Sequence, residues 1–196
     1  MNATFVLATA NEHKVHEIRA ILAKNDVTLL ARPRYVPDVE ENGDTLEQNA
    51  LLKARALVAA TGEAAIADDT GLFVDVLDGK PGVHSARYAG HHASDQENVE
   101  KLLRALEGVD VRERTAHFRT VAAVAYPDGA TLLVDGRLDG WIALSAVGQG
   151  GFGYDPVFCV EQLGGTTLAE LSSKQKNDIS HRSRAFRLLA TTLLSQ

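Results

Sequence analysis

Cysteine, methionine and tryptophan each occur once in the 196 residues, and proline occurs five times. A lone thiol, Cys159, excludes internal disulfides and fits a reducing compartment. It lies in the apolar run Val157-Phe158-Cys159-Val160, where a buried inert thiol is the ordinary role and a nucleophile the alternative. Long apolar stretches are also missing. The longest, Val121 to Tyr126, has six residues where a membrane helix needs roughly 20, so no segment is expected to span a bilayer. Basic excess is absent as well: Lys plus Arg total 20 against 26 Asp plus Glu, a formal charge of -6. That balance disfavours a broad grip on a nucleic-acid backbone but leaves room for a small anionic ligand. The opening residues Met1-Asn2-Ala3-Thr4-Phe5-Val6-Leu7-Ala8 lack a basic leader and a signal-length apolar run, so a cytoplasmic location is expected.

The composition, 45% hydrophobic and 23% charged, is that of a globular chain. Phe5 to Ala8 predicts a short strand, and Asn11 then caps a helix whose apolar positions Val15, Ile18 and Leu22 recur at spacings of three and four. Val27 to Leu30 predicts a second strand, followed by a loop that is acidic from Asp38 to Asp44. Thr45 and Gln48 have capping-box spacing, and Leu46, Ala50, Ala54 and Leu57 mark one face of a helix that Gly62 ends. Ala64 to Ala67 predicts a third strand, running into a sharp turn at Asp68-Asp69-Thr70-Gly71. Ser94 and Glu97 open a further helix. Three strands are predicted over Ala116 to Tyr126, Thr131 to Leu138 and Trp141 to Val147, the first two joined at Pro127-Asp128-Gly129. Val157 to Val160 predicts a strand, Leu168 to Leu171 a short helix, and Ser180 to Leu194 a final helix. Early βα units followed by a β-meander imply an α/β fold with a mixed, strongly twisted central sheet. The expectation is one domain over residues 1–196, with helices forming two lobes around a cleft and no independent linker.

Five segments carry candidate chemistry. Thr9-Ala10-Asn11-Glu12-His13-Lys14 follows a strand and opens a helix, where unpaired amides and the dipole favour an anion; a plain helix cap is the other reading. The segment lacks the Gly-x4-Gly-Lys-Ser/Thr pattern of a P-loop. Asp68 and Asp69 point in different directions on a strand and call for cations. With Glu40 and Glu41 they offer hard oxygen ligands suited to Mg2+, or else solvated loop charges. His91-His92 is read as structural, because neighbouring side chains rarely face one ion. Gly148-Gln149-Gly150-Gly151-Phe152-Gly153 matches G-x-G-x-x-G, yet Tyr154-Asp155-Pro156 leads on to another strand, so the dinucleotide reading is rejected. The aromatic pair Phe152 and Tyr154 offers a face to a nucleobase, unless the stretch is a structural turn. Lys174-Gln175-Lys176-Asn177-Asp178-Ile179-Ser180-His181-Arg182 is a basic knot at the start of the last helix, with Arg184 and Arg187 read as a solvated face.

In this order the segments resemble the inosine triphosphate pyrophosphatase family, the deaminated-purine nucleoside triphosphate pyrophosphatases. The resemblance rests on Thr9-Ala10-Asn11 with Lys14, Glu40-Glu41 with Glu47-Gln48-Asn49-Ala50 and Lys53, and Ala67-Asp68-Asp69-Thr70-Gly71-Leu72. It continues through Pro81-Gly82-Val83-His84-Ser85-Ala86-Arg87, Gly151-Phe152-Gly153-Tyr154-Asp155-Pro156-Val157-Phe158 and Ser180-His181-Arg182. It implies Mg2+-dependent hydrolysis of dITP, ITP and XTP to the monophosphate and pyrophosphate by a cytoplasmic homodimer that cleanses the nucleotide pool. By position it implies Asp69 as the water-activating base and a metal ligand, with Glu41 as the other metal acid and Glu40 beside it. Thr9, Ala10, Asn11, Glu12, His13 and Lys14 resemble the triphosphate cradle, and Lys53 a further phosphate contact. Thr70, Phe152, Gly153, Tyr154, Asp155, Lys176, His181 and Arg182 match substrate-contacting positions, the last two associated with the base. Thr70 stands where relatives often have Ser, and Tyr154 where some have Trp, which bears on substrate preference. Two other readings stay open: a pyrophosphatase for modified pyrimidine triphosphates, and a nucleotide sensor without turnover.

Overall fold

A computed structural model describes residues 3–23 and 25–194; Met1 and Asn2, where the N-terminal reading begins, lie outside them. The chain divides into two compact units. The first comprises Met1–Asp69, Thr120–Gly136 and His181–Gln196, and the second Thr70–Arg119 and Arg137–Ser180. The sheet is mixed, as expected for the α/β class: in space the strands run Val27–Leu30, Ala3–Leu7, Ala65–Val74, Thr115–Ala125, Thr131–Ile142 and Phe158–Cys159, with Pro81–Gly82 paired to Ala65–Val74.

In the first unit, β1 (Ala3–Leu7), α1 (Glu12–Leu22) and β2 (Val27–Leu30) form a strand-helix-strand crossover. The two strands pair in parallel from Ala3 with Val27 to Val6 with Leu30. Parallel neighbours need such a crossover, which is why the periodic helix falls between them. Next, α2 (Leu46–Thr61) returns the chain to β3 (Ala65–Val74), which pairs in parallel with β1 on its other side. The buried face of α2 includes Leu46, Ala50, Ala54 and Leu57, and the helix stops at Gly62, whose φ of 72 suits a residue without a side chain. The core gathers Phe5, Leu7, Ile18, Leu22 and Ile66 with Phe186 and Leu189 of α5 (His181–Leu194). At Gly136, on β6 (Thr131–Ile142), a side chain would collide with the backbone of His181 and Ala185. The missing side chain lets the first turn of α5 lie directly on the strand.

In the second unit, β4 (Pro81–Gly82) runs antiparallel to β3, and β7 (Phe158–Cys159) antiparallel to β6. Leu72 of β3, Val99 and Leu102 of α3 (Asp95–Ala105), Phe118 of β5 (Thr115–Ala125), Leu138, Val157 and Phe158 belong to its core. Ser94 and Glu97 form the expected reciprocal cap on α3.

Five expectations about local structure are corrected. Asp68-Asp69-Thr70-Gly71 is not a turn: β3 continues through it. Gly71 serves a close approach instead, since a Cβ there would lie 2.7 Å from the carbonyl oxygen of Gly82 on β4. The strands expected at Thr131 to Leu138 and Trp141 to Val147 are one strand ending at Ile142, because Trp141 and Ile142 pair with Cys159 and Phe158. The Val157 to Val160 strand shortens to two residues, and the Leu168 to Leu171 helix is a 3-10 turn over Leu168–Glu170. The basic knot does not open the last helix. It builds its own, α4 (Ser173–Ile179), with Ser172 and Gln175 as a capping box. Ser180 then takes an extended conformation, ending α4 before α5 begins.

Candidate active site

The turn from β1 into α1 is built by local hydrogen bonds. The Asn11 amide donates to Thr9 Oγ1 at 3.1 Å, and Asn11 Oδ1 accepts from the Lys14 amide at 3.2 Å. Asn11 therefore caps the helix. The first amide-to-carbonyl bond of the helix, from Val15 to Asn11, leaves the Glu12 and His13 amides ahead of the ladder, at the positive end of the dipole. Ala10, Asn11, Glu12 and His13 are exposed, while Thr9 and Lys14 are half-buried. Beside them the first unit has a cavity of about 580 Å³, bordered by Thr9, Ala10, Glu12, Arg19, Arg32 and Arg34.

Lys14 leans inward, and its Nζ is 3.0 Å from Asp68 Oδ2. Burial lowers the Lys14 pKa, and Lys53 and Arg182 add to that, against the pull of Asp68. Burial alone would raise the Asp68 pKa, but Lys14, Arg182 and Lys53 together hold its carboxyl far below the usual carboxylate range. The same Asp68 oxygen accepts from Arg182 Nε and Nη2 at 3.4 Å, and Arg182 Nη1 donates to Glu17 at 2.6 Å. Arg182 is 2% exposed.

Asp69, the next residue on β3, faces α2. Lys53 Nζ lies 2.9 Å from Asp69 Oδ1 and 2.7 Å from Glu41 Oε1. Asn49, four positions before Lys53 and hence on the same helix face, donates to Asp69 Oδ2 at 3.3 Å. Its own carbonyl oxygen accepts from the Gly43 amide at 2.9 Å, which ties the acidic loop to α2. Burial raises the Asp69 pKa, Glu41 raises it further, and Lys53 opposes both. Glu40 is exposed, so of the two adjacent acids it is Glu41 that shares a cation with Asp69. His181, at the first position of α5, is buried with its Nδ1 2.6 Å from Thr120 Oγ1.

In the second unit, Lys176 and Asp155 form a buried ion pair at 2.5 Å. Asp155 also accepts from the Phe152 amide at 2.8 Å, and the Lys176 ammonium lies 4.6 Å from the Phe152 ring centre. The Gly153 amide donates to Asp95 at 2.7 Å. The aromatic pair divides: Phe152 is half-buried under Lys176, whereas Tyr154 is in the core and its hydroxyl donates to the Ser85 carbonyl at 2.8 Å. Thr70 is half-buried at the point where β3 enters this unit.

Among the described residues, no three His, Cys, Asp or Glu side chains gather as a ready-made metal site. The donor set nevertheless suits Mg2+, which binds through one or two carboxylates and completes its shell with water and substrate phosphate. Glu41 and Asp69 each direct one oxygen at a single cation, Lys53. Sequence reasoning gave no role to Glu17 or Asn49, and it read Asp68 as a candidate oxygen ligand, whereas Asp68 is paired with Lys14 and Arg182. For the first two a signal was present, since each is a polar residue on the buried face of an amphipathic helix.

Paired acids, two lysines and a capped helix start lie together in this α/β unit, a set of groups with the chemistry to receive a phosphate anion. The chain belongs to the Ham1 family, whose model matches residues 5–192. It is 47% identical over 190 residues to a dITP/XTP pyrophosphatase of Bacillus licheniformis, covering 96% of each chain. A protein of the same name from Geobacter sulfurreducens is 51% identical over 186 residues, with 94% and 93% covered. The structure of a HAM1 protein from Coxiella burnetii superposes with a TM-score of 0.90 at 40% identity, covering 99% of this chain and 100% of that one.

Proposed function

We propose that this protein hydrolyses deaminated purine nucleoside triphosphates, dITP, ITP and XTP, to the nucleoside monophosphate and pyrophosphate with Mg2+. The names of its relatives support the substrate class. The observation that carries the chemistry is the charge balance of the first unit. Among the described residues, four carboxylates, Glu17, Glu41, Asp68 and Asp69, gather around Lys14, Lys53 and Arg182. A pure phosphate receptor gains nothing from excess anions. A hydrolase that recruits a divalent cation and needs a base does.

In this reading Glu41 and Asp69 hold the ion, with the exposed Glu40 outside the site. When bound, Mg2+ neutralises phosphate oxygens and lowers the pKa of a coordinated water. Asp69 orients the attacking water and accepts its proton. A free Asp, with a pKa of about 3.9, is a weak base at neutral pH; the burial of Asp69 shifts it in the useful direction. Lys53 is the cation that keeps Asp69 and Glu41 together and meets a phosphate oxygen. Thr9, the first-turn amides of α1 and Lys14 receive the rest of the triphosphate, so catalysis is largely positioning and electrostatics.

The base is chosen at its 6-position. A buried donor aimed at a 6-oxo group is satisfied by hypoxanthine or xanthine but opposes the amino group of adenine, a mismatch that discriminates by roughly 10^4. In the first unit His181, Arg182 or a backbone N–H supplies that donor. In the second unit Thr70, Phe152, Gly153, Tyr154, Asp155 and Lys176 are the further substrate-contacting positions, with Lys176 held by Asp155 beside the Phe152 ring. The reading includes one domain over residues 1–196 and a cytoplasmic homodimer, the latter tested by sedimentation.

A pyrophosphate-release assay with dITP and ATP, with and without Mg2+, tests the proposal. Release from dITP far above ATP, abolished by chelation, is expected. Nucleotide binding without release returns the protein to the sensor reading, and preference for modified pyrimidine triphosphates to the other.

A further inference from the structure

Glu17 has no place in the reaction as described, yet it is buried on α1 beside Ile18. Its carboxylate lies 2.6 Å from Arg182 Nη1, a shorter contact than the 3.4 Å from Arg182 to Asp68. Arg182 reaches Asp68 Oδ2 through Nε and Nη2 at 3.4 Å, and Lys14 Nζ reaches that same oxygen at 3.0 Å. One oxygen of Asp68 is thus shared by two cations, with Lys14 holding the shorter contact. Glu17 takes up the charge of Arg182 from the other side. Without it, Arg182 and Lys14 compete for Asp68, and the more buried guanidinium, with two donors on that oxygen, has the advantage. Lys14 would lose the anchor that fixes its ammonium at the start of α1.

We propose that Glu17 is a positioning residue, holding Arg182 so that Asp68 remains available to orient Lys14 toward the triphosphate. The role rests on the reading of Lys14 as a phosphate contact. It opposes the simpler expectation from net charge. Neutralising a buried acid makes the cluster more positive, and long-range attraction alone would tighten binding of a polyanion. Positioning and field therefore predict opposite changes in KM.

The test is steady-state hydrolysis of dITP by Glu17→Gln, which preserves shape and removes charge, together with product inhibition by pyrophosphate, which has no base. KM is expected to rise about tenfold, the lower end of the effect of losing one charge-assisted contact, with kcat nearly unchanged. The inhibition constant of pyrophosphate should rise by the same factor. Adding Glu17→Gln to Lys14→Ala should then change KM no further, because the two act through one contact. Glu17→Asp retains the charge and should restore much of the loss; it also serves if the Gln variant fails to fold. A KM for Glu17→Gln that is unchanged or lowered, an unaltered pyrophosphate constant, or additive effects with Lys14→Ala would each overturn the role. If wild-type protein released no pyrophosphate from dITP, the functional reading itself would fall; wild-type turnover with an indifferent Glu17→Gln removes only this inference.

Discussion

Asp68 and Asp69 are adjacent on β3, yet their carboxylates are held by different lysines, Lys14 at 3.0 Å and Lys53 at 2.9 Å. The cause is the alternation of side chains along an extended strand, which sends neighbours to opposite faces. The pKa directions separate accordingly, Asp68 down and Asp69 up. One acid stays ionised as an anchor for cations, and the other is tuned as the base of the proposed reaction.

Replacing Asp69 by Asn should lower pyrophosphate release from dITP by about 10^2 to 10^4, the range for loss of a positioned general base. Nucleotide affinity, measured by calorimetry, should be largely retained. Near wild-type turnover would remove Asp69 from the mechanism.

For Lys14→Ala the expected change is in KM, with kcat preserved, since a contact made equally to substrate and transition state contributes uniform binding. Turnover that falls at constant KM would instead place Lys14 at the reacting phosphorus.

The side chain of Asp68 is fully buried between Lys14 and Arg182. Asp68→Asn leaves two cations short of an anion, and breaking a buried ion pair from one side costs about 3–5 kcal/mol. Urea unfolding should show a loss of that order. A variant within about 1 kcal/mol of wild type would mean that water or rearrangement compensates the cluster.

His117, in the second unit, stacks on Phe73 with ring centres 5.0 Å apart and planes 8° from parallel. Burial lowers its pKa below 6.5, and Arg137 contributes in the same direction. The unfolded chain therefore binds this proton more readily than the folded one. The stabilisation linked to the neutral ring is complete above the unfolded pKa and is lost as pH falls below it. Stability should decline less from about pH 7 to about pH 5 in His117→Gln than in wild type, and the ring's NMR titration should centre below 6.5. An identical decline in both proteins would refute the linkage.

Local features were legible in the residues alone. The cap at Asn11, the box at Ser94 and Glu97, the stop at Gly62 and the apolar face of α2 all depend on groups within a turn or so of each other. The separate helix α4 is marked by the capping pair Ser172 and Gln175, a local signal that stands directly beside a run of basic residues. The apparent turn at Thr70-Gly71 was not legible in the same way: glycine marks both bends and close contacts, and only the position of β4 distinguishes them.

The sequence by itself determined the alternation of helices and strands, the helix start that favours an anion, and the membership in a family through motifs spread along the chain. The tertiary structure decided which charges meet. Glu17 and Arg182 are 165 positions apart, and Asp68 and Arg182 are 114 apart. Backbone hydrogen bonding in a helix is settled within four residues and so leaves a local trace. An ion pair forms wherever the fold brings two chains together, and no short stretch of residues records that meeting.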